Sequence, residues 1–444
     1  MPEDLHILES RVHQFHILRR RYLTNDSGSV VDYILRWLRY GKAIASNTQK
    51  PGEFEWRNSG KTLMYRDVPL QIDLLSVLAK KILDNTYSIL VKKLCFNWDC
   101  MVLEVYDGLL DDRQSTVPEF SFLCHPKNLQ KIKPAPDQLF GLAWTWKSPS
   151  WRLAATSPAS ISVMGRSLNR SVIRQYLGYH DIFREHLLIL CFLLGGQPPR
   201  GTELLTVQFE NTDDIQRHIY LVGGIMAIVT RYHKGQSRTG LEKEIPRFLP
   251  TRLRNMILAY LYFVQPFVLM LRRASELEVC LQNALMWGTT NDGAKTWDAD
   301  KLSMILSQYS EKIIGFKLTL RNYRQIAIKI DQDVIRTPRH LRAEEDFAVE
   351  DDVDNEYEVH DNQAAHTSKT ARLHYGVNLE EVLEENQSLW EKYRKVSRKW
   401  QQFLGIDDPS TISQQVGDTQ VLHILFQYQE TVFLICTGVK ECIG

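Results

Sequence analysis

The chain has 444 residues and nearly balanced charge, with 54 Lys and Arg against 53 Asp and Glu. That balance argues against a uniformly basic nucleic-acid coat, and a 44% hydrophobic content excludes an acidic disordered chain. Seven scattered cysteines without a CxxC pair give neither a disulfide framework nor zinc-ribbon spacing. The acidic Met1–Glu9 stretch does not read as a signal peptide, and no uninterrupted run of eighteen apolar residues occurs, so no membrane partner is expected.

In chain order, residues 1–24 and 29–45 read as helices, the second with Val30, Ile34, Trp37 and Leu38 at helical spacing. Arg19, Arg20 and Arg21 form a short basic run, readable as a solvated helix face or as part of a nuclear address. Residues 47–60 read as a polar break, and Leu70–Leu94 as an amphipathic helix with Leu74, Leu78, Ile82 and Leu90 near one face. A helical N-terminal domain over 1–150 is the expectation. His180–Leu194 reads as a largely apolar helix stopped by Gly195-Gly196. Short strands follow at His218–Val222, Ile225–Tyr232 and Glu244–Phe248, then helices at 253–271, 301–314 and 321–330. The expected fold is mostly α with a small antiparallel sheet, an α+β arrangement.

Charge is partitioned along the chain. Residues 151–343 carry 26 basic and 16 acidic residues, a net of +10, whereas 344–361 carry ten acids and no base. The acidic stretch reads as a solvated insertion, and a mobile one could screen the basic region when no ligand is bound.

Four stretches then fall in a telling order: Gly195-Gly196-Gln197-Pro198-Pro199-Arg200-Gly201-Thr202-Glu203, Tyr232-His233-Lys234-Gly235, Leu320-Arg321-Asn322-Tyr323-Arg324-Gln325, and Ala365-His366 with Tyr375 nine residues later. Cleaving a phosphodiester requires a nucleophile, positive donors on the non-bridging oxygens, and an acid for the leaving oxygen. Arginine suits the donor role because its planar fork matches phosphate oxygens two at a time. With these motifs the chain resembles the tyrosine recombinase, or phage-integrase-like, superfamily, and within it the crypton-type recombinase-like proteins of fungal mobile elements. The likeness covers roughly residues 165–404.

The resemblance implies a catalytic domain over 165–404 interrupted by the acidic insertion 344–361, with a C-terminal tail 405–444 of no assigned role. It implies Arg200, Lys234, Arg324, His366 and Tyr375 as catalytic residues: Tyr375 as nucleophile, Lys234 as general acid, the others holding the phosphate. Glu203 and Arg321 would support them, and Arg231, Arg238 and Lys369 are candidates for DNA-backbone contacts. It also implies double-stranded DNA as partner, no cofactor and no metal, a nuclear location, and a homo-oligomer formed through the helix 379–404. That helix carries an apolar stripe that serves equally for docking on its own domain. The chain departs from the family pattern at Arg321, Gln325 and Ala365. These departures keep open a second reading, a catalytically eroded DNA-binding or chromatin-associated relic of such an enzyme.

Overall fold

The computed structural model describes residues 54–132 (apart from 67 and 102–105), 160–163, 166–231, 244–275, 284–289, 295–336 and 379–406, with a few isolated positions elsewhere; over 160–167 and 379–388 it describes the backbone alone. The chain divides into two compact units, Met1–Ile72 and Asp73–Gly444. The helix that opens the second unit, Asp73–Ile89, packs within it.

The first unit contains a three-stranded antiparallel sheet, β1 (Phe54–Arg57), β2 (Thr62–Tyr65) and β3 (Val68–Gln71), with Leu63 paired to Leu70. The N-terminal region is therefore not purely helical. The stretch read as a polar break holds an edge strand and a turn in which Asn58, Ser59 and Gly60 all take positive φ. The predicted helix at Leu70 starts three residues late, because Pro69 and Leu70 belong to β3, where Leu70 alternates into the core.

The second unit is built around helices. α1 (Asp73–Ile89), extended by a π-turn at Leu90–Leu94, packs on a central α3 (Arg170–Leu194), and α2 (Pro126–Lys131) lies between them in sequence. A two-stranded hairpin, β4 (Ser160–Val163) with β5 (Arg166–Asn169), leads into α3, which Asn169 caps through its side chain. The last two turns of α3 are buried on all sides from His186 to Leu194. A helix without a polar face can only be the middle of a bundle, and each buried Leu or Phe there contributes about 1.5–3 kcal/mol.

After the short α4 (Gly201–Leu205) comes the sheet β6 (Ile219–Val222), β7 (Ile225–Thr230) and β8 (Ile245–Phe248), antiparallel in that order. Then follow α5 (Thr251–Ala259), a π-segment Tyr260–Val264, α6 (Gln265–Ala274), the short pair β9 (Gly288–Thr289) and β10 (Lys295–Thr296), α7 (Ala299–Ile314), α8 (Leu320–Ile330) and α9 (Leu379–Phe403). The architecture is mostly α with small antiparallel sheets, as expected. The stretch Thr251–Ala274 is long and apolar enough to cross a bilayer, which the run-length reading missed. It is 72% buried among its neighbours, which is how the core helix of a globular unit behaves.

α9 docks on its own unit from residue 389 onward. Trp390, Tyr393 and Val396 pack with Phe248, Val229 and Tyr220 of the sheet, and Arg113 lies 3.8 Å over the Trp390 ring. The apolar stripe assigned to a neighbouring protomer is, over this half of the helix, occupied by the chain itself.

Candidate active site

The site begins where α3 stops. Gly195 ends the helix and Gly196 takes φ +105°, a conformation that favours glycine. A Cβ at Gly196 would collide with the Gln363 amide oxygen and come within 3.0 Å of Ser397 Oγ. The chain then bends at Gln197 and runs through Pro198-Pro199 to Arg200, whose backbone is extended and which precedes α4. Both prolines suit this segment, since each fixes φ and biases its predecessor away from helix.

Glu203, three residues on, reaches back to accept the Arg200 backbone N–H at 3.1 Å through Oε2. Its Oε1 lies 3.5 Å from Arg200 Nη1, and the carboxylate is wholly buried while the arginine is partly exposed. Gly201 allows α4 to press against the next element, because a Cβ there would sit 2.9 Å from Leu320 and 3.2 Å from Ala299. That close approach brings the start of α8 beside Arg200. One turn into α8, Arg324 donates from Nε to Pro198 O at 3.4 Å. Burial lowers the pKa of Arg324, Glu203 opposes the shift, and Arg200 reinforces it. Arg200 is thus paired with a buried carboxylate whose charge also acts on Arg324. Arg321 precedes Arg324 by one turn of α8 and is exposed.

A third arginine belongs to the same cluster, and the sequence reading passed over it. Arg247 on β8 is 1% exposed. Burial brings its pKa down to about 10, Glu203 works against that, and Arg324 adds to it. A buried cation costs several kcal/mol unless its donors are matched. Arg247 matches them: Nε to Gln197 O (3.2 Å), Nη1 to Thr230 Oγ1 (2.7 Å) and Ile245 O (3.3 Å), Nη2 to Gln363 O (2.7 Å). The available signal was a charged side chain on the Ile245 face of an otherwise apolar strand. Three arginines and one carboxylate leave an excess of positive charge here, which suits an anionic ligand.

Other predicted positions fall as follows. Arg231 is turned onto its own unit, bonding Glu244, the carbonyls of Gln216 and Arg217, and the Tyr220 hydroxyl. Its guanidinium thereby ties the end of β7 to the start of β6. Lys234, Arg238, His366, Lys369 and Tyr375 lie outside the described residues. Two residues of the acidic segment 344–361 are described. Val359 is buried in the cluster around Trp390 and Phe248, and the buried His360 holds Asp331 at 2.7 Å. Asp331 in turn takes Arg336 Nε at 2.7 Å.

No known protein family matches the chain, and no solved structure matches it.

Proposed function

We propose that the protein cleaves and rejoins DNA strands through a covalent phosphotyrosine. The observation that carries this reading is that Arg324, from an element more than a hundred residues away in sequence, bonds Pro198 O beside Arg200, which pairs with buried Glu203. A guanidinium held by a buried acid, with a second anchored on Pro198 O, offers preorganised donors to a phosphate, and such donors contribute several kcal/mol when charge develops on the non-bridging oxygens.

The Tyr375 oxygen attacks phosphorus, forming the O–P bond and releasing its proton to solvent. The bond from phosphorus to the 5′ oxygen breaks, and Lys234 supplies the proton that the leaving oxygen takes up. His366 donates a hydrogen bond to the phosphate, with Arg321 available at its rim. Attack of the 5′ hydroxyl on the phosphotyrosine reverses the sequence, since the ester conserves the bond. No net oxidation occurs. Double-stranded DNA is the partner under this reading. An assembly of several copies would draw on the first turns of α9, residues 379–388, because the later turns are occupied.

The test uses a pool of nicked duplexes of randomised sequence, in which cleavage releases a short strand and traps the adduct. A protease-sensitive, denaturant-stable protein–DNA species with wild type, absent in Tyr375→Phe, supports the proposal. Duplex binding without any adduct would replace it with the eroded, DNA-binding reading.

A further inference from the structure

Arg247 and Gln363 lie at the centre of a polar network that the proposed chemistry does not use. Gln363 is fully buried, and every polar group of its side chain is engaged. Its Oε1 accepts from Gln197 N at 2.8 Å, and its Nε2 donates to Pro246 O and to Ser397 Oγ, each at 3.2 Å. Its carbonyl accepts from Arg247. The Gln197 peptide is therefore gripped at both ends, its N–H by Gln363 and its C=O by Arg247. Ser397 closes the ring by donating to Gly195 O at 2.9 Å and accepting from Phe248 N at 3.2 Å.

The chain positions that meet here are informative. Gln197 precedes Arg200 by three residues, Thr230 precedes Lys234 by four, and Gln363 precedes His366 by three. One guanidinium touches all three approaches. The network is satisfied at Arg247, Gln363 and Ser397, while the buried Gln197 takes part through its backbone alone, its side-chain amide having no partner among the described residues.

We infer that Arg247 and Gln363 are positioning residues, which lock the turn before Arg200, the end of β7 and the segment entering His366 into one mutual geometry. The inference rests on the proposed function for the identity of the reacting groups, while the mechanical coupling does not. Neither residue touches substrate. A plain core role would predict that their loss softens the unit generally. A positioning role predicts that two segments distant in sequence loosen together while the rest stays firm.

The test uses the full chain with Arg247→Lys and Gln363→Met. Lysine keeps the charge and cannot span all four acceptors; methionine keeps the volume and removes all three side-chain bonds. Hydrogen–deuterium exchange is followed over peptides covering 196–205, 361–376 and α1. The expected result is at least tenfold faster exchange in the first two, with α1 unchanged. On the randomised nicked duplexes, adduct formation should slow by about 100-fold, the scale of a 1 Å misplacement, while the duplex Kd stays within threefold of wild type. If Gln363→Met does not fold, Gln363→Glu carries the same test, keeping one acceptor and losing the donor.

Unchanged exchange in 196–205 would overturn the inference, and so would adduct formation at the wild-type rate. A wild type that forms no adduct defeats the proposed function alone. The exchange pattern then still decides the coupling.

Discussion

Replacing His186 with leucine should stabilise the protein, and increasingly so as pH falls. His186 lies on α3 among residues buried on every side, 3% exposed, and neither ring nitrogen has a hydrogen-bond partner among the described residues. Its ring meets the Tyr309 ring edge-on at 4.7 Å, and the adjacent Glu185 is engaged with Lys301 at 3.6 Å. Burial lowers its pKa from 6.5 to about 4. The sign follows from proton binding: below pH 6.5 the unfolded chain takes up a proton that the folded ring refuses, so stability present above 6.5 drains away towards pH 4. One proton of difference amounts to about 1.4 kcal/mol per pH unit, or about 2 kcal/mol at pH 5. At pH 7 the substitution also removes two unsatisfied buried polar atoms, worth about 1–3 kcal/mol. That contribution and the change in packing are the same at both pH values. The quantity to measure is therefore the gap between variant and wild type by urea unfolding at pH 7 and at pH 5. His180, with pKa lowered to about 4, and His218, lowered to about 3, cancel because both proteins carry them. A gap that does not widen by at least 1 kcal/mol, about half of the calculated change, would refute the assignment of a neutral, unpartnered imidazole.

Three further outcomes follow from the site and its supports. Glu203→Gln leaves Arg200 and Arg324 without the carboxylate whose charge acts on both. It should cost about 3–5 kcal/mol, with part of the thermal shift recovered by millimolar inorganic phosphate in differential scanning fluorimetry. Gly196→Ala should cost at least about 1–3 kcal/mol, read by urea unfolding, because it combines φ +105° with a collision at Gln363. Asp111→Ala should cost about 3–5 kcal/mol by the same assay, since it strips the buried Arg217 of its 2.7 Å partner and leaves that guanidinium between the Phe120 and Tyr220 rings.

Local pattern carried much of the fold. The three strands of the β6–β8 sheet, the stop at Gly195-Gly196 and the helices from 299 onward were legible because period and glycine placement are local properties. The sheet of the first unit was missed because Pro69 and the Asn58–Ser59–Gly60 turn interrupt runs only four residues long. The packing of α1 on α3 was illegible for a different reason: it depends on contacts across many intervening residues, which no window of sequence reports. Within the site, Arg200 and Arg324 were found through motif spacing. Arg247 was not, because its value lies entirely in acceptors contributed by Gln197, Thr230 and Gln363. The intrachain bonds of Arg231 to Gln216 O and Tyr220 Oη were equally invisible in the sequence.

The end of α3 has a consequence for how the chain comes into being. Three consecutive carbonyls at that end, Leu193, Leu194 and Gly195, are satisfied by Trp400, Gln401 and Ser397, the last pair 202 positions apart. A helix terminus buried without partners is unstable. On a ribosome, the turn that carries Arg200 is therefore synthesised long before the groups that complete it. A nascent chain that has already exposed Arg200 and Arg324 holds them in an unfinished frame until the last turns of α9 emerge. A chain truncated before residue 397 would therefore lack the Ser397, Trp400 and Gln401 donors that complete the turn before Arg200.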